Sequence, residues 1–355
     1  MSAAVGAAQF ITFTVVQAEF SGDKSMMLKK ILLMAATLLS VSLAVMPHAR
    51  AGSYPDKPIV VVVPFSPGGS TDQIGRLIAQ HLSKAFGVSA VVENKPGANG
   101  TVGNSFVARS KPDGYTLLIG GTDIAASQFL YKNLPYNPET AFVPVGIVAE
   151  FPFLMVTNID SKIKTVAQFV DYARKHPDNI NFSSAGMGNS THLAGETFKM
   201  AAALDSMVHI PFNGSPQALA AVMSGQVSTT FDTAITAAPL VRGHKLNALG
   251  VVAKQRLPLM PDVPTMSELG YKQFDLLSPW SWKGLFAPAN TPPDVLNKLH
   301  AALADALRDP NFKKTIEANA SLVVEPRSTE DSIKFLENQR KGWSALIKQA
   351  KVEAQ

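Results

Sequence analysis

One unit repeats along this chain and restricts its fold more than any other feature: an apolar run, a glycine-containing loop, then an amphipathic stretch. Ile59-Val60-Val61-Val62-Val63 is apolar throughout, as expected of a strand covered on both faces of a parallel sheet. Pro-Gly-Gly punctuation follows, after which Ile74, Leu77, Ile78, His81, Leu82 and Ala85 recur at helical spacing. His81 on that apolar face reads as a core residue. Further strands are expected at Ala90–Glu93, Thr116–Ile119, Asn181–Ser184, Met207–Ile210, Val227–Phe231 and Leu246–Val252. Helices are expected near Thr101–Ala108 and at Thr165–His176, Thr191–Leu204, Pro292–Leu307, Asn311–Asn319 and Thr329–Lys348. This alternation predicts an α/β fold with a mainly parallel sheet. At 355 residues, with about 150 residues per domain, two domains are expected.

Charge and composition remove several functions. Lys and Arg total 32 against 27 Asp and Glu, giving a net charge of +5 that is spread thinly. No block of like charges forms, so nucleic-acid binding is not expected. There is no cysteine, which excludes disulfides, thiolate metal sites and cysteine nucleophiles. Near the amino terminus, Lys29 and Lys30 precede the uncharged apolar run Ile31–Met46, and Ala49-Arg50-Ala51 follows. This is the three-part pattern of a secretory signal peptide, with cleavage expected after Ala51. The run is shorter than the roughly 20 residues that a membrane-spanning helix requires. The natural start is expected at Met26 or Met27, with the upstream residues a misassigned start. The exported product is then a soluble periplasmic protein.

Three loops place glycine with Ser, Thr or Asn between a strand and a helix start: Phe65–Asp72, Gly120–Asp123 and Ser184–His192. Helix starts present unpaired N–H groups and a positive dipole end, so they can receive an anion without a charged side chain. Phe65, Ser66, Gly69, Ser70, Thr71, Thr122, Asp123, Ala185, Gly186, Asn189, Ser190 and Thr191 are the candidate binding residues these loops supply. The competing use is plain helix capping by Ser70, Asp123 and Ser190. Asp232, at a strand end, can receive a ligand ammonium or anchor a loop N–H. Lys283, in Trp280-Ser281-Trp282-Lys283-Gly284, is the one cation near the loops and a candidate carboxylate partner. That aromatic stretch serves equally as a buried crossover strand.

Other chemistries lack their motifs. Pro96–Gly103 is glycine-rich without G-x-G-x-x-G, and no Gly-Lys-Ser/Thr occurs. Gly188–His192 is not a nucleophile elbow, and His192 beside a helix start reads as packing or capping. The seven histidines show no metal-ligand spacing, so no metal and no cofactor are expected. A Rossmann-type enzyme using a nucleotide is the alternative reading.

Taken together, Tyr54–Ile59, Val63–Asp72, Val92–Gly97, Pro112–Leu118, His192–Glu196, Gly225–Val227, Leu259–Thr265 and Ala287-Pro288 resemble the Bug family. Its members are periplasmic solute receptors of tripartite tricarboxylate transporters. The resemblance implies a two-lobed Venus-flytrap fold of the periplasmic-binding-protein type, with a mainly parallel sheet in each lobe. Lobe 1 is expected at 52–152 plus 279–355 and lobe 2 at 153–278, the chain crossing near Phe151–Met155 and Leu277–Trp280. It further implies a monomer without catalysis that holds a small carboxylate in the cleft by the loops at Phe65–Asp72 and Gly186–Thr191. Delivery to membrane transporter subunits follows from the same resemblance. Departures from the family pattern are Asn213 where a Lys is common, Lys283 where an uncharged residue is usual, and a more polar Ser228–Asp232.

Overall fold

The computed structural model describes residues 54–277, 279–318, 320–350 and 352–354. The signal-peptide pattern at Met26–Ala51 lies outside them. Two sheets organise the fold. The first contains β1 (Ile59–Val63), β2 (Ala90–Asn94), β3 (Thr116–Gly121), β4 (Phe142–Phe151), β10 (Ser281–Pro288) and β11 (Leu322–Val323). Their spatial order is β11-β4-β10-β3-β1-β2. The second contains β5 (Phe153–Asn158), β6 (Asn181–Ser184), β7 (Val208–Pro211), β8 (Thr229–Thr233) and β9 (Leu246–Val252), in the order β7-β6-β8-β5-β9.

The α/β class is as read from the sequence, but neither sheet is mainly parallel. β1 pairs in parallel with β2 and β3, and β6 with β7 and β8. By contrast β10 runs antiparallel to β3 and β4, β11 to β4, and β5 to β8 and β9. The reason is the route of the chain. Pro152 alone separates β4 from β5, so the chain leaves one sheet and enters the next directly. It returns through β10, and an outgoing and a returning strand that lie side by side must point in opposite directions. Apolar runs report coverage on both faces, which both pairing modes satisfy.

The helices are α1 (Ser70–Phe86), α2 (Thr101–Ala108), α3 (Thr122–Leu130), α4 (Val166–Lys175), α5 (Ser190–Ala201), α6 (Ser215–Met223), α7 (Ala234–Arg242), α8 (Pro293–Arg308), α9 (Pro310–Glu317) and α10 (Thr329–Gln349). Several begin where a side chain accepts a free backbone N–H: Thr165 from Gln168, Asp309 from Asn311 and Ser328 from Asp331. β8 starts two residues later than the apolar pattern suggests. Val227 belongs to the turn after α6, where its N–H donates to the Ala221 carbonyl. His81 and Ala85 depart from the core reading of α1: His81 is half-buried and Ala85 exposed.

Packing ties the sheets together. Ile59, Val61, Val63, Leu117, Ile119 and Leu285 form a core on one face of the first sheet with Ile74 and Ile78 of α1 and Leu299 and Leu303 of α8. A second cluster runs from Val62, Leu118 and Trp282 in the first sheet to Phe153, Phe182 and Phe231 in the second. Its spine is a chain of rings, Phe198–Phe231–Phe274–Trp280–Trp343, with successive centroids 5.6, 5.6, 5.2 and 5.5 Å apart. Such contacts favour tilted and edge geometries and add to the apolar area buried.

Candidate ligand-binding site

Four helix starts meet at one cavity of about 30 Å³. α1 follows β1 and brings Ser70 and Thr71; α5 follows β6 and brings Ser190 and Thr191; α6 brings Ser215; Thr233 precedes α7. The capping reading of these residues needs correction. The residues in the capping position are Gly69, Gly121 and Asn189, which makes Ser70, Thr122 and Ser190 the first helical residues instead. Of those three only Asn189 caps with its side chain, its Oδ1 accepting from the Thr191 N–H at 3.1 Å. Where glycine occupies the cap, first-turn N–H groups are left for another acceptor. Ser70 and Ser190 lie in the cavity wall.

The charge in this wall comes from Lys283, which is 6% exposed. Its Nζ reaches the Ser281 Oγ at 3.5 Å and makes no ion pair among the described residues. Burial pushes its pKa down to about 8 against the pull of Asp123 and Asp232. An ammonium stripped of water without a carboxylate partner is costly, and an incoming anion relieves that cost.

Asp123 and Asp232 act on this ammonium from outside the cavity wall. Burial pushes both carboxyls up from the usual range. Asp123 accepts from Asn104 Nδ2 at 2.8 Å, and Asn104 also donates to the Tyr136 hydroxyl. Asp232 Oδ1 accepts from the Ser215 hydroxyl at 2.9 Å, the Thr233 N–H at 2.7 Å and the Thr236 hydroxyl at 2.6 Å. Of the two roles considered for Asp232, the geometry is that of an anchor: it pins the starts of α6 and α7.

Of the candidate residues, Phe65, Ser66, Gly69, Ser70, Thr71, Ala185, Asn189, Ser190, Thr191 and Lys283 line this cavity. Gly186 and Asn213 line a neighbouring cavity of about 310 Å³, which also touches Phe65 and Ala185. Thr122 and Asp123 reach neither. β10 covers their loop, with the Lys283 Nζ 3.0 Å and the Trp282 carbonyl 2.5 Å from where a Cβ on Gly121 would stand. The Thr122 hydroxyl donates to the Trp280 carbonyl at 3.4 Å instead. Sequence reading missed Gly214, Ser215, Thr233 and Ser281. The signal for the first two was present: Phe212-Asn213-Gly214-Ser215 repeats the strand–glycine–hydroxyl–helix arrangement.

The two halves touch around the cavity. Ser66 Oγ donates to the Asn213 carbonyl at 2.6 Å, Asn189 Nδ2 to Asn99 Oδ1 at 3.2 Å, and the Tyr131 hydroxyl to the Met187 carbonyl at 3.2 Å.

Behind the α5 loop, His192 and His209 stack with ring centroids 4.0 Å apart, and His209 Nε2 lies 2.7 Å from the Ser184 Oγ. His192 Nδ1 accepts from the Gly188 N–H, which places His192 in loop support. Burial, helped by the His192 charge, pushes the His209 pKa down to about 3. Unfolded, the same ring titrates near about 6.5. Between those values the unfolded chain binds a proton that the folded one refuses, so stability is lost as pH falls through that window. The thermal midpoint is expected to drop from about pH 7 to about pH 5, and to drop less in His209→Gln. Equal losses in both proteins would place the acid sensitivity elsewhere.

Two α/β sheets joined by crossing strands, with strand-to-helix loops converging between them, define a periplasmic-binding-protein type of receptor. The family model for the tripartite tricarboxylate transporter family receptor matches residues 74–352, and the chain belongs to that family. A UPF0065 protein from the tcbD–tcbE intergenic region of Pseudomonas sp. (strain P51) is 32% identical over 308 residues, covering 86% of this chain and 90% of that protein. The structure of the periplasmic binding protein BugD is similar at 34% identity and a TM-score of 0.80, covering 85% of this chain and 100% of that one. MatC from Rhodopseudomonas palustris with bound malate is similar at 32% identity and a TM-score of 0.77, covering 83% and 100%.

Proposed function

We propose that this protein binds a small carboxylate in the cavity between its two sheets and presents it to the membrane subunits of a tripartite tricarboxylate-type transporter. The observation that carries the reading is the buried, unpaired Lys283 ammonium in a wall of helix starts. Backbone N–H groups and hydroxyls can take up the carboxylate oxygens while the ammonium balances the charge. The malate held by the related MatC supports the ligand class.

The lobes of this reading are 52–152 with 279–355, and 153–278, hinged at Pro152 and before β10. A carboxylate that touches Ser70 from one side and Ser190 from the other completes its contacts only when the halves close. That differential affinity is what shifts the population. The ligand leaves unchanged, since the site's role is capture. The protein works as a monomer in the periplasm after cleavage behind Ala51.

A thermal-shift screen with mono-, di- and tricarboxylates, amino acids and nucleotides tests the ligand class. Ligand at about 100 times its Kd stabilises by about 2.7 kcal/mol. Stabilisation by nucleotides alone would overturn the reading. With the best carboxylate, Ser190→Ala and Thr71→Ala are each expected to weaken binding by about 0.5–3 kcal/mol, the cost of one hydrogen bond to a charged group. Calorimetric titration reads this directly. Unchanged affinity in both would move the site.

A further inference from the structure

We propose that the ligand is a monocarboxylate with an uncharged, largely apolar body, and that it occupies two compartments. The inference rests on the reading of the Lys283 cavity as the carboxylate site. That cavity, at about 30 Å³, exceeds the about 10–15 Å³ needed by one water only two- to threefold. It takes a carboxylate head and little more. The body of the ligand needs the adjoining compartment, and the two share Phe65 and Ala185 in their walls.

The second compartment, about 310 Å³ in volume, is lined by Phe65, Tyr131, Met187, Pro211 and Phe212 together with small and amide residues. Among the described residues, no Asp, Glu, Lys, Arg or His contributes to its wall. A second carboxylate placed there would meet no cation in the wall, and an ionised group that gives up water without one is disfavoured. Rejection of diacids is therefore built in as an unpaid charge rather than as a clash. The volume admits an aromatic ring, since a cavity of about 150 Å³ already holds benzene.

One polar group in this wall has a fixed orientation. Asn189 Oδ1 is committed to the Thr191 N–H, so its Nδ2 must face Asn99, and Asn99 must answer with Oδ1. The Asn99 Nδ2 is thereby left buried and without a partner among the described residues, on a residue 8% exposed. A buried amide N–H without an acceptor is destabilising.

Calorimetric titration of the purified protein with para-acetylbenzoate, benzoate, terephthalate, succinate and citrate tests this. Para-acetylbenzoate and terephthalate match in shape and differ in the charge at the far end. Para-acetylbenzoate is expected to bind at least about tenfold more tightly than terephthalate, a difference of about 1.4 kcal/mol. In Met187→Lys, which puts a cation into the second compartment, the order is expected to reverse, with thermal unfolding checking that the variant is folded. Tighter binding of terephthalate, succinate or citrate to the unmodified protein would overturn the two-compartment inference and leave the carboxylate-receptor reading standing. Binding of none of the acids would overturn both.

Discussion

Lys283→Met is expected to weaken carboxylate binding about thirtyfold or more, because removing one partner of a buried charge pair costs about 2–5 kcal/mol. The same substitution is expected to raise the thermal midpoint of the unliganded protein. The ammonium is 6% exposed and has no ion-pair partner among the described residues, so its desolvation opposes folding, and methionine fills similar space without that cost. Affinity should also depend on pH in a defined direction. Burial holds the Lys283 pKa down to about 8, and a bound anion favours the charged form. Above that value binding must take up a proton, so the Kd rises with pH, by up to about tenfold per unit. In Lys283→Met the profile should be flat across that range. Titrations of both proteins at about pH 7 and about pH 9 check the sign; unchanged affinity in the variant would remove Lys283 from the site.

Its neighbour in β10 gives the opposite stability effect. Trp282 is fully buried, its ring set edge-on to Phe335 of α10 at 5.1 Å, and its Nε1 donates to Gln339 Oε1 at 2.9 Å. Trp282→Ala is expected to destabilise by about 3–5 kcal/mol, the range for truncating a large aromatic core residue. The stranded Gln339, 3% exposed, adds to the loss. At about 2–4 °C per kcal/mol for a chain of this size, the midpoint should fall by about 10 °C. Scanning calorimetry measures it, and a fall of only about 1 °C would show that the α10 contact contributes little. Successive residues of a strand point to opposite faces. At Ser281–Lys283, one face of β10 therefore lines the cavity and the other packs into the core.

Much of the fold was legible because local patterns carry it. The apolar run Ile59–Val63 and the periodic stretch after Ser70 report strand and helix through burial and turn chemistry, which are properties of contiguous residues. β6 and β9 fall where the pattern placed them, at Asn181–Ser184 and Leu246–Val252. The strand–glycine–hydroxyl–helix signature found two of the four converging helix starts, at Ser70 and Ser190, and overlooked the other two, at Ser215 and after Thr233.

The sequence by itself determined the α/β class and the family pattern, and it marked the helix starts that the proposed anion site uses, since each is written in neighbouring residues. Only the tertiary structure decided strand direction, because pairing partners such as β4 and β10 lie far apart in the chain and both directions satisfy an apolar run. It also decided which candidates face the cavity. β10 folds back over Gly121 and turns Thr122 and Asp123 away, while the same strand delivers Lys283 to the wall. Lys283 is buried within the electrostatic reach of Asp123 and Asp232, which come from two other segments of the chain, and no local pattern encodes that meeting.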